Sequence, residues 1–182
     1  MRYKEFIIEG RNAVLEAFRA GKTIDKLFVL DGCQDGPVKS ILREAKKTDT
    51  IINFVDKERL DRLANSGHHQ GVVAQAAAYE YAEVEDILNA AKEKGEAPFI
   101  FILDEIEDPH NLGAIIRTAN LCGAHGVIIP KRRAVGLTAT VAKTSAGAVN
   151  YTPVAKVTNI AKAIEELKKE GMWFVCRCTA EK

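Results

Sequence analysis

The chain has 182 residues, of which 47% are hydrophobic and 28% charged, with a formal net charge of +1. That is an ordinary globular composition with enough apolar mass for a core, in one large domain or two small ones. Charged residues interrupt the N-terminus (Arg2, Lys4, Glu5, Glu9, Arg11), and every apolar run is short. A secretory leader and a membrane helix are therefore not expected. The four cysteines (Cys33, Cys122, Cys176, Cys178) lack Cys-x-x-Cys spacing, so no metal site is expected and reduced thiols in the cytoplasm are.

In chain order, Arg11–Ala20 is expected as a helix, with Val14, Leu15 and Phe18 on one face and Gly21 as its stop. Lys26–Leu30 reads as a strand, Asp31-Gly32 as a turn, and the next helix carries Ile41, Leu42 and Ala45. Ile51–Val55 is a second strand. Asp56 is placed to cap a short helix with Leu60 and Leu63 inward. The polar loop Ala64–Gly71 leads into an apolar strand, Val72–Ala78.

Residues 80–97 read as a connection, with a helix carrying Ile87, Leu88 and Ala91 before the breakers Gly95 and Pro98. They divide a first domain, 1–79, from a second, 98–182. The second opens with the strand Phe99–Leu103, then a loop and a helix from about Asn111 to Cys122, stopped by Gly123. Leu112, Ile115, Ile116 and Ala119 face the sheet; Gly113, Arg117 and Asn120 lie opposite. Strands Val127–Ile129, Val154–Val157 and Trp173–Cys176 follow, with a helix, Asn159–Glu170, capped by Thr158 or Asn159 and stopped by Gly171. The fold class is α/β, the second domain around a mostly parallel sheet.

Charge is unevenly placed. Ten acidic residues lie between Glu80 and Asp108 against Lys92 and Lys94; between Pro130 and Ala163, Lys131, Arg132, Arg133, Lys143, Lys156 and Lys162 meet no acid. Such a basic stretch suits phosphate contact, and equally a solvated face. The segment Leu103–Ala119 is the richest in chemistry. Pro109 fixes a turn beyond a strand's carboxyl end, where ligands of open α/β sheets bind. Arg117 has Gly113 and Leu121 four residues either side, so no local acid engages its planar fork, which suits a phosphate or developing oxyanion. By residue type alone, the favoured reading is Asn111 as a helix cap and Arg117 as a surface charge. His68, Gln70 and Gly71 lie on a loop that reads as a tight polar turn in which Gly71 supplies unusual backbone angles. His69 and His110 read as surface histidines.

The string Asp108-Pro109-His110-Asn111, with Gly113, Arg117-Thr118-Ala119 and Gly123-Ala124, closely resembles the first motif of the SpoU (TrmH-type) RNA ribose 2′-O-methyltransferases. Val141–Ala148, Thr152-Pro153-Val154 and Trp173 fit the same pattern. Ile8–Val14 and His68–Val72 resemble the substrate-binding domain of the branch that methylates a guanosine of large-subunit ribosomal RNA. The resemblance implies a small α/β RNA-binding domain followed by a SPOUT-type trefoil-knot domain. It implies methyl transfer from S-adenosylmethionine to a ribose 2′-hydroxyl, without a metal, by a homodimer. Asn111 and Arg117 carry over as catalytic-site residues. An arginine stays protonated, so Arg117 is expected to stabilise the alkoxide or hold a phosphate, with Asn111 orienting the hydroxyl or the arginine. Arg11, His68, Gln70, Gly71, Lys131, Arg132, Arg133 and Lys143 are the expected RNA contacts.

Two later motifs of that family, a glycine-rich loop with a glutamate and an isoleucine-proline strand leading to Ser-Leu-Asn, do not occur before Lys182. The expectation is an incomplete knotted domain of 85 residues from Pro98, with strands missing from its sheet, an apolar face partly uncovered, unassigned donor-pocket residues and an open oligomeric state. A non-catalytic RNA-binding remnant is the alternative function.

Overall fold

The computed structural model describes residues 6–33 and 35–176. Cys178 and the other residues after Cys176, with Arg2, Lys4 and Glu5, lie outside the described residues. The first unit runs β1 (Phe6–Glu9), α1 (Arg11–Arg19), β2 (Ile24–Leu30), α2 (Gly36–Lys47), β3 (Ile51–Val55), α3 (Lys57–Leu63) and β4 (Val72–Ala76). Its sheet has the order β1-β4-β2-β3. β2 and β3 are parallel, and β4 is antiparallel to β1 and β2. The helices α1 and α2 bury Val14, Phe18, Val38 and Ile41 against Leu27, Val29 and Val72 on one face. On the other, α3 sets Leu60 against Phe28 and Val73. Coverage of both faces explains why β2 and β4 read as continuous apolar runs rather than alternating ones. As expected, the Asp56 side chain caps α3, accepting the Arg59 N–H at 2.8 Å. β1 has no counterpart among the sequence expectations.

The second unit runs α4 (Val84–Lys94), β5 (Ile100–Ile102), α5 (Pro109–Leu121), β6 (Gly126–Pro130), α6 (Ala139–Thr144), a 3₁₀ turn (Ala148–Asn150), β7 (Val154–Val157) and α7 (Ile160–Lys169). Its strands are all parallel, in the order β5-β6-β7. β6 is central and buried throughout. Helices α5 and α6 cover one face through Leu112, Ile116, Ala119 and Val141; α4 and α7 cover the other through Ile87 and Leu167. Gly126 admits α4 to this layer, because a Cβ there would lie 2.5 Å from the Ile87 Cδ1 atom.

Two expectations need correction. Helix α5 starts at Pro109, not near Asn111: the Asp108 carboxylate caps it, accepting the His110 N–H at 2.9 Å. Proline suits that first position because no N–H is needed there. The run Trp173–Cys176 forms no strand. Among the described residues no neighbouring strand supplies it with a ladder, and Trp173 and Val175 are 97% and 100% exposed. β-propensity without a pairing partner does not make a strand.

Candidate functional site

The carboxyl ends of β5 and β6 carry the 103–108 and 131–138 loops, and these loops are tied to each other. The Val135 N–H donates to the Ile106 carbonyl at 2.8 Å, and Arg133 pairs with Glu105 at 3.0 Å. Glu105 (φ 52°) and Arg133 (φ 56°) both sit in the left-handed region, a conformation that costs a non-glycine residue about 1–3 kcal/mol. Their ion pair therefore joins the two strained points of the rim. Helix α5 leaves this rim packed tightly on α6: a Cβ on Gly113 would lie 1.9 Å from Thr144 Oγ1 and 2.9 Å from the Val141 carbonyl oxygen. Asn120, on the same side, donates to Thr152 Oγ1 at 3.0 Å.

Asn111 is the third residue of α5 and is exposed, close to the positive end of the helix dipole. Arg117 is also exposed, and among the described residues its guanidinium makes no hydrogen bond or ion pair. Six residues at about 100° each put these two side chains about 120° apart around the helix and roughly 9 Å apart along it. The fold thus keeps Asn111 and Arg117 on one helix without bringing them to one point. Arg132 and Lys143 are exposed and make no hydrogen bond or ion pair among the described residues, although the Arg132 charge also acts on Asp49. Lys131 instead reaches Asp49 of the first unit at 2.7 Å, and its ammonium holds the Asp49 carboxyl below the usual carboxylate range.

Arg11, His68, Gln70 and Gly71 do come together. Arg11, opening α1, donates its backbone N–H to Gln70 Oε1 at 3.1 Å and its Nε–H to the Gln70 carbonyl at 3.0 Å. Its guanidinium also pairs with Asp35 at 2.7 Å. Gln70 (φ 52°) and Gly71 (φ 82°) are consecutive left-handed residues. Gly71 is buried, its carbonyl accepting the Leu30 N–H at 2.8 Å. The Glu9 carboxylate closes the start of the loop, accepting the N–H groups of Asn65 and Ser66 at 3.1 and 2.9 Å. Residues 65–68 and Gln70 of this loop are exposed, the Gln70 amide oxygen being held by the Arg11 N–H. His69 is not a surface residue. It is 6% exposed, whereas His110 is exposed as expected.

The two units meet at a buried polar cluster that residue spacing gave no sign of. Asp25 of β2 pairs with Lys156 of β7, their side chains 5% and 15% exposed. The Lys156 ammonium lies 4.2 Å from the centre of the Tyr81 ring. The Tyr81 hydroxyl donates to Asp25 at 3.1 Å and accepts the Leu137 N–H at 2.8 Å. Burial, seconded by Asp25, pushes that hydroxyl far above its ordinary pKa, so it stays a donor. Burial lowers the Lys156 pKa, against the opposing pull of Asp25. Only glycine fits at 136, since a Cβ there would lie 2.0 Å from Asp25 Oδ2. Backbone bonds complete the seam: Ala78 N–H to the Leu137 carbonyl at 2.8 Å and Ala82 N–H to the Val154 carbonyl at 2.9 Å.

Four clefts have volumes of about 350–440 Å³, large enough for a nucleoside-sized ligand. None is lined by Asn111, Arg117 or the 103–108 loop. No helix among the described residues is long and apolar enough to cross a membrane.

Residues 7–82 match the family model described as RNA 2′-O ribose methyltransferase substrate binding, and residues 98–182 the SpoU rRNA methylase family. A Bacillus subtilis protein, YacO, assigned to the TrmH family of tRNA/rRNA methyltransferases, is 52% identical over 91% of this chain and 66% of its own length. A relative from Staphylococcus haemolyticus with the same family assignment is 48% identical over 93% of this chain and 68% of its own. The chain belongs to the SpoU/TrmH family of RNA methyltransferases. It spans about two thirds of the length of these relatives. Among solved structures, the SpoU methyltransferase AviRb of Streptomyces viridochromogenes in complex with the cofactor AdoMet is 19% identical, with a TM-score of 0.43 over 91% of this chain and 59% of its own. An rRNA methyltransferase of Sinorhizobium meliloti is 24% identical, with a TM-score of 0.42 over 90% of this chain and 58% of its own.

Proposed function

We propose that this chain carries the RNA-binding domain, residues 1–79, and the first part of the catalytic domain, residues 98–182, of a ribose 2′-O-methyltransferase. Its substrate is a guanosine of large-subunit ribosomal RNA in the cytoplasm, and its methyl donor is S-adenosylmethionine. The observation that carries this reading is Arg117. A guanidinium with no partner among the described residues, one helix away from the carboxyl end of a parallel strand, is available to a phosphate or an alkoxide. Asn111, at the helix's positive end, orients the ribose hydroxyl. Arg132 and Lys143 hold the RNA backbone, joined by Lys131 and Arg133 once their exposed acidic partners exchange for phosphate. In the first domain His68 and Gln70 touch RNA, while Arg11 and Gly71 shape the loop that presents them.

The test is twofold. Calorimetric titration of the purified chain with S-adenosylmethionine measures donor binding. Tritium transfer from labelled S-adenosylmethionine to transcribed large-subunit ribosomal RNA measures turnover. Saturable binding with incorporation at one ribose supports the enzyme reading, and RNA binding without donor binding replaces it with the remnant.

A further inference from the structure

His69 is buried with both ring nitrogens engaged. Its Nδ1 atom accepts the Gly71 N–H at 2.9 Å, so Nδ1 carries no proton. Its Nε2 atom lies 2.9 Å from Asp61 Oδ1 and must be the protonated, donating nitrogen. The ring is buried while Asp61 is half exposed, 8% and 48% for the two side chains. The half-exposed carboxylate on α3 thus selects the tautomer, and the tautomer provides the acceptor that the buried Gly71 N–H needs. The His69 carbonyl adds a second tie, accepting the Val72 N–H at 2.9 Å.

We infer that His69 is a positioning residue for RNA contact, holding Gln70 and Gly71 in their left-handed conformations so that the exposed His68 and Gln70 are presented together. The inference rests on the RNA-binding reading given above. Two consecutive left-handed residues, one of them not glycine, persist only where surrounding bonds over-determine them. Here Arg11 holds Gln70 from one side and His69 holds Gly71 from the other. The exposed groups of the loop are uncharged, the His68 imidazole and the Gln70 carboxamide (its oxygen held by the Arg11 N–H) among them, while the nearby charges of Arg11 and Glu9 are bound within the fold. An edge of that kind recognises bases or ribose hydroxyls of unpaired RNA rather than phosphates. Its contribution to affinity is therefore nearly independent of salt.

Two substitutions separate positioning from simple support. His69→Asn keeps an acceptor near Nδ1 for the Gly71 N–H but cannot reach Asp61. His69→Gln reaches toward Asp61 but leaves that N–H without an acceptor. Binding of fluorescein-labelled, transcribed large-subunit ribosomal RNA by the whole chain is measured by anisotropy at two salt concentrations. Loss of one buried hydrogen bond predicts about tenfold weaker binding for His69→Gln, equal at both salts, with His69→Asn within about threefold of the unmodified chain. Asp61→Leu, at a half-exposed site, leaves the fold in place. It predicts about threefold weaker binding as the other tautomer becomes populated, visible in the ¹⁵N imidazole resonances. RNA binding that survives His69→Gln or Asp61→Leu while Gln70→Ala abolishes it overturns the positioning role alone. No RNA binding by the unmodified chain overturns the RNA reading and this role with it.

Discussion

Replacing Lys156 by methionine tests whether the seam between the two units is held by its buried charge pair. The substitution keeps most of the apolar stem and removes the ammonium, leaving the 5% exposed Asp25 carboxylate with the Tyr81 hydroxyl as its one side-chain donor among the described residues. Breaking a buried pair from one side typically costs about 3–5 kcal/mol; the residual exposure of Lys156 argues for the lower end, about 3 kcal/mol. With a urea dependence of about 2 kcal/mol per molar, the unfolding midpoint falls by about 1.5 M. The double variant Asp25→Asn/Lys156→Met removes the stranded charge and is expected to recover all but about 1 kcal/mol, because the pair's attraction and its desolvation largely cancel. Urea titrations followed by circular dichroism give all three midpoints. A loss below about 0.5 kcal/mol for Lys156→Met, or a double variant no better than the single one, would falsify the view that an uncompensated charge is what matters.

Four other expectations follow from the geometry. Gly113→Ala should destabilise by about 1–3 kcal/mol, although alanine is the better helix former, because its Cβ meets Thr144 and Val141; Thr144→Ala should recover part of the loss in the same urea assay. Arg117→Lys should lower methyl transfer to ribosomal RNA about 100-fold or more while leaving the unfolding midpoint unchanged, since the guanidinium has no partner among the described residues. Arg132→Ala and Lys143→Ala should each weaken RNA binding and reduce the salt slope by about 1, measured by anisotropy across a salt series. The lowered Asp49 pKa means that its contribution to stability is complete above its ordinary value of 3.8 and is lost as pH falls through the lower folded value. Asp49→Asn should therefore lower neutral stability by the same small amount by which it flattens the acid limb below about pH 4, measured by thermal melts at a pH series.

Local signals carried most of the architecture. Asp56 as a cap, Val14 and Phe18 as an inward face, and the stops at Gly21 and Gly171 depend on neighbours within a turn or two, and each stands where spacing put it. β1 escaped because four residues flanked by charges have no periodicity of their own; its partner, β4, comes from the far end of the domain. The overreading of Trp173–Cys176 has the converse cause, apolar residues without a ladder to join. At the site, the exposure of Arg117 follows from its helical position opposite Leu112 and Ile116. The burial of His69 does not follow from its polar loop, since Asp61 and the folded-back Gly71 N–H create the niche. Asp25 in a strand of apolar residues was a usable clue, because an acid there needs a partner, but only the folded chain shows Lys156 to be that partner.

The bareness of Trp173 bears on how this molecule can be watched. It is the chain's single tryptophan, and at 97% exposure it sits in water in the folded chain as it does in the unfolded one. Its emission should therefore be nearly blind to the melting of either core. The same indole is a sensitive reporter of anything that covers the 172–175 run, whether more polypeptide, another subunit or nucleic acid. A blue shift on adding such a partner would register contact at one known residue without a label.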